Sequence, residues 1–191
     1  MTARPPEIEE LVRLLNLQPL PVEGGVFKQT YRSEEVINPS ALPGRYPSLP
    51  RAFGTAIQYL FTADADSFSA LHWLPTDEIY HFYLGDPVEM LLLEPEGISR
   101  RVLLGQDLLN GQQVQYVVPR SVIQGSHLLP GGRYALVGTT MAPGFEESDY
   151  HGCERASLLA AYPDQAELIL TLTRPGSPLE MPSSQGTAPY P

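Results

Sequence analysis

Of the four histidines in this sequence, His72, His81, His127 and His151, the first stands where chemistry is favoured. His72 lies mid-way along a strand-like stretch and shares its expected face with Ala70 and Leu74, which aims it at a pocket; a packed core histidine is the competing reading. Glu78 enters the next strand-like stretch, flanked by Ile79, Tyr80 and Phe82. A carboxyl half-buried among such neighbours is biased toward its neutral form, and its pKa moves toward the range useful for acid–base work. The competing reading is a turn-end acid facing water. Strand alternation puts Glu78, Tyr80 and Phe82 on one face and His81 and Tyr83 on the other. Tyr80 and Phe82 are thus candidate substrate contacts beside Glu78. His81 and Tyr83 join them only if a bulge resets the register.

Three further side chains are candidates. Tyr59, on the preceding strand, is placed to act as a phenolic acid or hydrogen-bond donor, although packing is the commoner use of such a tyrosine. Thr30 and Arg32 alternate together and are suited to an anionic ligand group; an exposed edge strand explains them equally well. His127 and His151 sit near glycine-rich or acidic loops and read as structural or solvated. Cys153 has no histidine at a recognised spacing. There is no phosphate-cradling glycine loop, serine elbow or paired-cysteine zinc motif.

The chain of 191 residues carries 12 basic and 22 acidic side chains, a formal charge of −10. Such a surface disfavours nucleic acid and anionic membrane, and only Arg100 and Arg101 are adjacent basic residues. The opening MTARPPEIEE has acids where a signal peptide would be apolar, and no stretch approaches the ~20 apolar residues of a membrane span. With one cysteine, the expectation is a cytoplasmic protein without disulfides.

The elements that position these residues are short. Apolar residues at helical spacing predict a helix over 8–15, with Pro5 and Pro6 ahead of it. Pro21, Gly24 and Gly25 break that pattern, and a period of two begins at Val26. A proline-punctuated loop is expected over 34–51. Strands are predicted at 53–61, 67–74, 78–84, 88–94, 100–104, 113–118, 122–128 and 133–142, each bounded by turn residues. That procession argues for an all-β sandwich or barrel with a few short helices at the termini, the last two at 154–161 and 164–172. Residues 1–173 are read as a single domain, and 174–191 as a tail rich in proline and serine that is ordered only where something holds it.

The stretch from Ser69 to Gly85 resembles the first motif of the cupins: His72 takes the place of the first motif histidine, and Glu78 precedes Gly85 by the motif's seven residues. The second motif histidine falls on Leu74. The later turn motif resembles Pro119–Gln124, with Ser121 for its glycine and Gln124 for its histidine. Further segments, Glu23-Gly24-Gly25 with Thr30-Tyr31-Arg32-Ser33, Asp77-Glu78-Ile79-Tyr80-His81-Phe82 and Ala142-Pro143-Gly144-Phe145, resemble a small cupin subfamily of uncharacterised function. The chain departs from it at Trp73, Tyr83, Ser121 and Ile123; Gln124 is kept. The resemblance implies a double-stranded β-helix, jelly-roll-like and dimeric, with an open-ended small-molecule pocket. It also implies a possible divalent metal on His72, Glu78 and Gln124. One imidazole, one carboxylate and a neutral amide make a weak ligand set, so no cofactor is certain.

These readings converge on a small-molecule enzyme of the isomerase, epimerase or lyase type. His72 and Glu78 are its acid–base pair, and Gln124 and Tyr59 orient a carbonyl-bearing substrate. A ligand-binding or sensor protein and a metal-dependent cupin enzyme are the alternatives.

Overall fold

A computed structural model describes residues 6–20 and 22–182. Pro5, Pro21 and the tail segment 183–191 therefore lie outside the described residues. The chain opens with α1 (Ile8–Leu15), whose first turn is closed by a reciprocal capping box between Glu7 and Glu10 and whose end is turned by Asn16 in the left-handed conformation. The strands are β1 (Gln18–Pro19), β2 (Val26–Arg32), β3 (Val36–Ile37), β4 (Arg51–Ala52), β5 (Thr55–Thr62), β6 (Phe68–Trp73), β7 (Glu78–Gly85), β8 (Val88–Leu93), β9 (Ser99–Leu104), β10 (Gln115–Val118), β11 (Ile123–Leu128), β12 (Tyr134–Met141) and β13 (His151–Gly152). Two short helices, α2 (Arg155–Ala161) and α3 (Ala166–Thr171), follow. The expected helix over 164–172 is split between a 3-10 turn at Pro163–Gln165 and α3.

The strands form two antiparallel sheets. One runs β1-β2-β5-β12-β7-β10 and the other β13-β6-β11-β8-β9, with β3 and β4 paired apart from both. Alternating side chains fill the space between the sheets: Phe27, Tyr59, Phe61, Tyr80, Phe82 and Val137 from the first, Val88, Met90, Leu92, Val102 and Leu104 from the second. The second sheet is covered on its far side too. Leu91 and Leu93 of β8 point there, against Leu158, Leu168, Ile169 and Leu172 of the helical segment. This is why β8 reads as an unbroken apolar run. On the far side of the first sheet, Leu11 of α1 packs with Leu60, Tyr134 and Leu136.

The proline-rich stretch over 34–51 is held at both ends. β3 pairs with β4, and Arg51 forms a wholly buried ion pair with Asp149 at 2.5 Å, under the ring of Tyr46. The tail is held as far as it is described. Arg174 bridges to Asp66, and the Gly152 amide donates to the Leu179 carbonyl at 2.8 Å.

Candidate functional site

A cavity of about 430 Å³ opens between β2, β5, β7 and β12 on one side and β6 on the other. His72 and Ser69 both line it although they are three residues apart. The pairing explains this: Gln124 of β11 faces His72, but Ser126 faces Ser69, so β6 carries one extra residue there. The bulge turns Ala70 and Leu71 outward, where both pack against the helical cluster. Ala70 therefore does not share the face of His72, contrary to simple alternation. The bulge also supplies the carbonyl that fixes the imidazole, since His72 Nδ1 lies 2.7 Å from Ala70 O. A carbonyl oxygen only accepts, so Nδ1 carries a proton and Nε2 is the nitrogen left to exchange one. The ring is buried and stacks on Tyr150, with centroids 4.8 Å apart.

Glu78 opens β7 opposite Met141 and Val118 and is also buried against the cavity. The Gln124 amide nitrogen donates to its Oε2 at 2.6 Å. Burial, the dominant influence, pushes the Glu78 carboxyl above its ordinary value; His72, the Thr139 hydroxyl and the Gln124 amide pull it back, and Glu23 adds to the rise. Tyr80, the next residue on that face, also lines the cavity, and burial holds its phenol well above the ordinary range.

Glu23 reaches the cavity through a glycine turn. Gly24 and Gly25 take φ of 96° and 66°, and a Cβ at Gly25 would collide with the Tyr59 hydroxyl. That hydroxyl is directed at the Gly24 carbonyl at 2.7 Å and the Phe68 carbonyl at 3.1 Å. Tyr59 lines the cavity, but its proton is committed to the backbone, so it braces the turn rather than serving as an acid. The braced Glu23 accepts from Ser69 Oγ at 2.7 Å and lies 3.9 Å from His72 Nδ1.

The remaining expected contacts divide sharply. A second bulge, between Gln29 and Tyr31 in the β2–β5 pairing, leaves Thr30 outside the regular ladder and brings Arg32 onto the cavity side with Phe27 and Gln29. Arg32 pairs with Glu146 and donates to the Phe145 carbonyl at 3.1 Å. Thr30 is exposed, and its hydroxyl donates to Ala56 O. His81 and Tyr83 lie on the outer face: His81 contacts Thr140 Oγ1 and Gln115, and Tyr83 is 44% exposed. The irregularity in the β7–β12 pairing falls beyond His81, between Leu136 and Val137, and does not turn it inward. Phe82 faces inward but is absorbed in the core between the sheets. These placements correct Thr30, His81, Tyr83 and Phe82 as substrate contacts. His127 pairs with Glu89, His151 stacks on Trp73 at 3.9 Å, and burial pushes the Cys153 thiol up to about 11.

The donor set does not fit a metal centre. Gln124 turns its amide nitrogen, a hydrogen-bond donor, to Glu78 and leaves Oε1 buried without a partner. Among the described residues no three His, Cys, Asp or Glu side chains converge as ligands. His72 Nε2 and one carboxylate remain, which is too few for a held first-row divalent ion.

Two facing antiparallel sheets, with a cavity between them into which one sheet presents a histidine from β6 and the other a glutamate from β7, define a cupin-type site. The sequence comparison agrees: residues 9–152 match the family described as Cupin superfamily (DUF985), and the chain belongs to it. It is similar to the uncharacterized protein YML079W of Saccharomyces cerevisiae, 31% identical over an aligned stretch of 137 residues; the match covers 67% of this chain and 66% of the yeast protein, just under two thirds of its length. Among solved structures, protein SO0799 from Shewanella oneidensis is 31% identical, covering 90% of this chain and 99% of that one with a TM-score of 0.76. A hypothetical protein from Leishmania major is 28% identical, covering 88% and 99%, also with a TM-score of 0.76. No helix among the described residues is long and apolar enough to cross a membrane.

Proposed function

We propose that this cupin is a proton-transfer enzyme acting on a small carbonyl compound, with His72 Nε2 as the base and the Glu78 carboxyl as the acid. The observation that carries the reading is the fixed Nδ1–Ala70 hydrogen bond, which commits one imidazole nitrogen to the backbone and leaves Nε2 of a cavity-lining ring as the nitrogen available for proton transfer. The buried Glu78 supplies the complementary group, biased toward its neutral form. In the reaction, Nε2 takes the proton from the carbon next to the carbonyl as that C–H bond breaks. Glu78 delivers its proton to the carbonyl oxygen, giving an enol or enediol. Glu78 then recovers a proton from the neighbouring hydroxyl of the enediol while the imidazolium returns its own to the former carbonyl carbon, completing an aldose–ketose isomerisation. Gln124 holds the Glu78 carboxyl, and Glu23 with Ser69 flanks the imidazole.

The test is incubation with unphosphorylated aldoses and ketoses in D2O, followed by proton NMR. Deuterium should wash into the carbon beside the carbonyl of at least one compound, and His72→Gln or Glu78→Gln should each slow this by about 10²–10⁴. Because half the lining is apolar, from Phe27, Phe61, Val137 and Met141 among others, binding without turnover is the second reading. Ligands that shift the melting temperature but never exchange would replace the enzyme with a binding protein.

A further inference from the structure

The two members of the proton-transfer pair stand on different sheets, His72 on β6 and Glu78 on β7, yet the loop over 34–51 props both. β7 begins at Glu78, directly after the turn of Pro75, Thr76 and Asp77. The loop grips that turn twice: Arg45 Nε donates to the Pro75 carbonyl at 2.9 Å, and the hydroxyls of Tyr46 and Thr76 lie 2.7 Å apart. His72 is steadied through a longer run of contacts. Its ring stacks on Tyr150, which follows Asp149 in the chain, and the Asp149 carboxylate accepts from both terminal nitrogens of Arg51. Arg51 Nε is buried with no hydrogen-bond acceptor among the described residues, and the guanidinium lies 4.5 Å from the centroid of the Tyr46 ring. A cation held over an aromatic face away from water is attracted more strongly than one at the surface.

Tyr46 is where the two runs meet, with its hydroxyl on the Glu78 side and its ring on the His72 side. Tyr46, Arg51, Thr76, Asp149 and Tyr150 are all buried, and a close-packed interior passes a displacement on rather than absorbing it. We infer that Tyr46 is a positioning residue for both reacting side chains: it fixes the Glu78 carboxyl and the His72 ring relative to each other across the cavity. This deepens the proton-transfer reading and rests on it for its chemistry, whereas the geometry it asserts is measurable without turnover. Proton transfer between two groups and one substrate tolerates little misplacement, since a shift of ~1 Å costs about 10²-fold in rate.

Tyr46→Phe keeps a ring over Arg51 and removes the hydroxyl, Thr76→Val removes the same contact from the other side, and Tyr46→Leu removes hydroxyl and ring together. The turn retains two further bonds, Arg120 N to Asp77 Oδ1 and Ser121 N to the Leu74 carbonyl, each 2.8 Å, so loss of the hydroxyl contact leaves the chain folded. The readouts are the 13C signal of the Glu78 carboxyl and the imidazole signals of His72, assigned with Glu78→Gln and His72→Gln. Tyr46→Phe and Thr76→Val should move the Glu78 signal alone, and Tyr46→Leu should move both. If Tyr46→Leu does not fold, pentafluorophenylalanine at position 46 strips the ring of its negative face while keeping its shape, and should move the His72 signals relative to Tyr46→Phe. With a sugar that exchanges deuterium, Tyr46→Leu should lower kcat by about 10²-fold and leave KM nearly unchanged. A residue that only stabilises the fold would lower the melting temperature and leave both signals and kcat in place; that result overturns the inference. So does a Glu78 signal unmoved by Tyr46→Phe and Thr76→Val, or His72 signals unmoved once the ring is lost or fluorinated. A native chain that exchanges with no sugar sinks the proton-transfer reading alone, because the two sets of NMR signals still decide the positioning.

Discussion

Glu78 and His72 are held by different forces, and the difference predicts their behaviour. His72 is oriented by a backbone carbonyl that no pH change removes, whereas Glu78 is a buried acid whose ionised form the fold disfavours. A carboxyl whose folded pKa is raised contributes stability in full below the ordinary carboxyl range, and that contribution is lost as pH rises through the folded value. Glu78→Gln keeps an oxygen to accept from Gln124 and never ionises. Its melting temperature relative to the native chain should climb as pH is raised from about 4 and level off once Glu78 is fully charged. A difference that is flat or falling with pH in thermal melts would contradict the burial argument. The inward aim of Glu78 and Tyr80 was legible in the alternation of β7, and so was the outward aim of His81. Glu23 was not given a role from sequence because its reach depends on a left-handed glycine turn and on Tyr59, 35 positions from Gly24. Tyr150 was missed because its stacking partner, His72, belongs to a distant strand.

At the scale of the element, strand and turn chemistry placed nearly every long strand to within about two residues, as expected where period-two patterning and turn residues agree. The bulges in β2 and β6 left no such trace. One inserted residue changes which side chains share a face, so Arg32 parts from Thr30 and Ala70 from His72. The loop over 34–51 also hid a function. Its last residue enters β4, and the buried Arg51 grips Asp149 at the turn that carries Tyr150 against His72. Removing one partner of a buried ion pair leaves an uncompensated charge, so Asp149→Asn should cost about 3–5 kcal/mol in urea unfolding. A loss below about 1 kcal/mol would mean that Arg51 finds water or another acceptor and that the pair does not anchor the turn.

For the whole molecule, two sheets divide the labour. The second is covered on both faces, by the first sheet and by the helical segment, and presents His72 from a rigid strand next to β11. The first sheet contributes Glu78, Arg32 and the glycine turn, so the cavity exists only when the sheets are stacked. Recognition of the fold needed only the succession of short strands and the family segments, because many weak signals add. Recognition of the chemistry needs the state of one proton. That state can be read by two-dimensional 15N–1H NMR of the imidazole of His72 at pH 8, assigned with His72→Gln. The account predicts a neutral ring protonated at Nδ1 with Nε2 bare, shifting when a sugar that undergoes exchange is added. A ring protonated at Nε2 would leave no base in the cavity and would contradict the proposed mechanism.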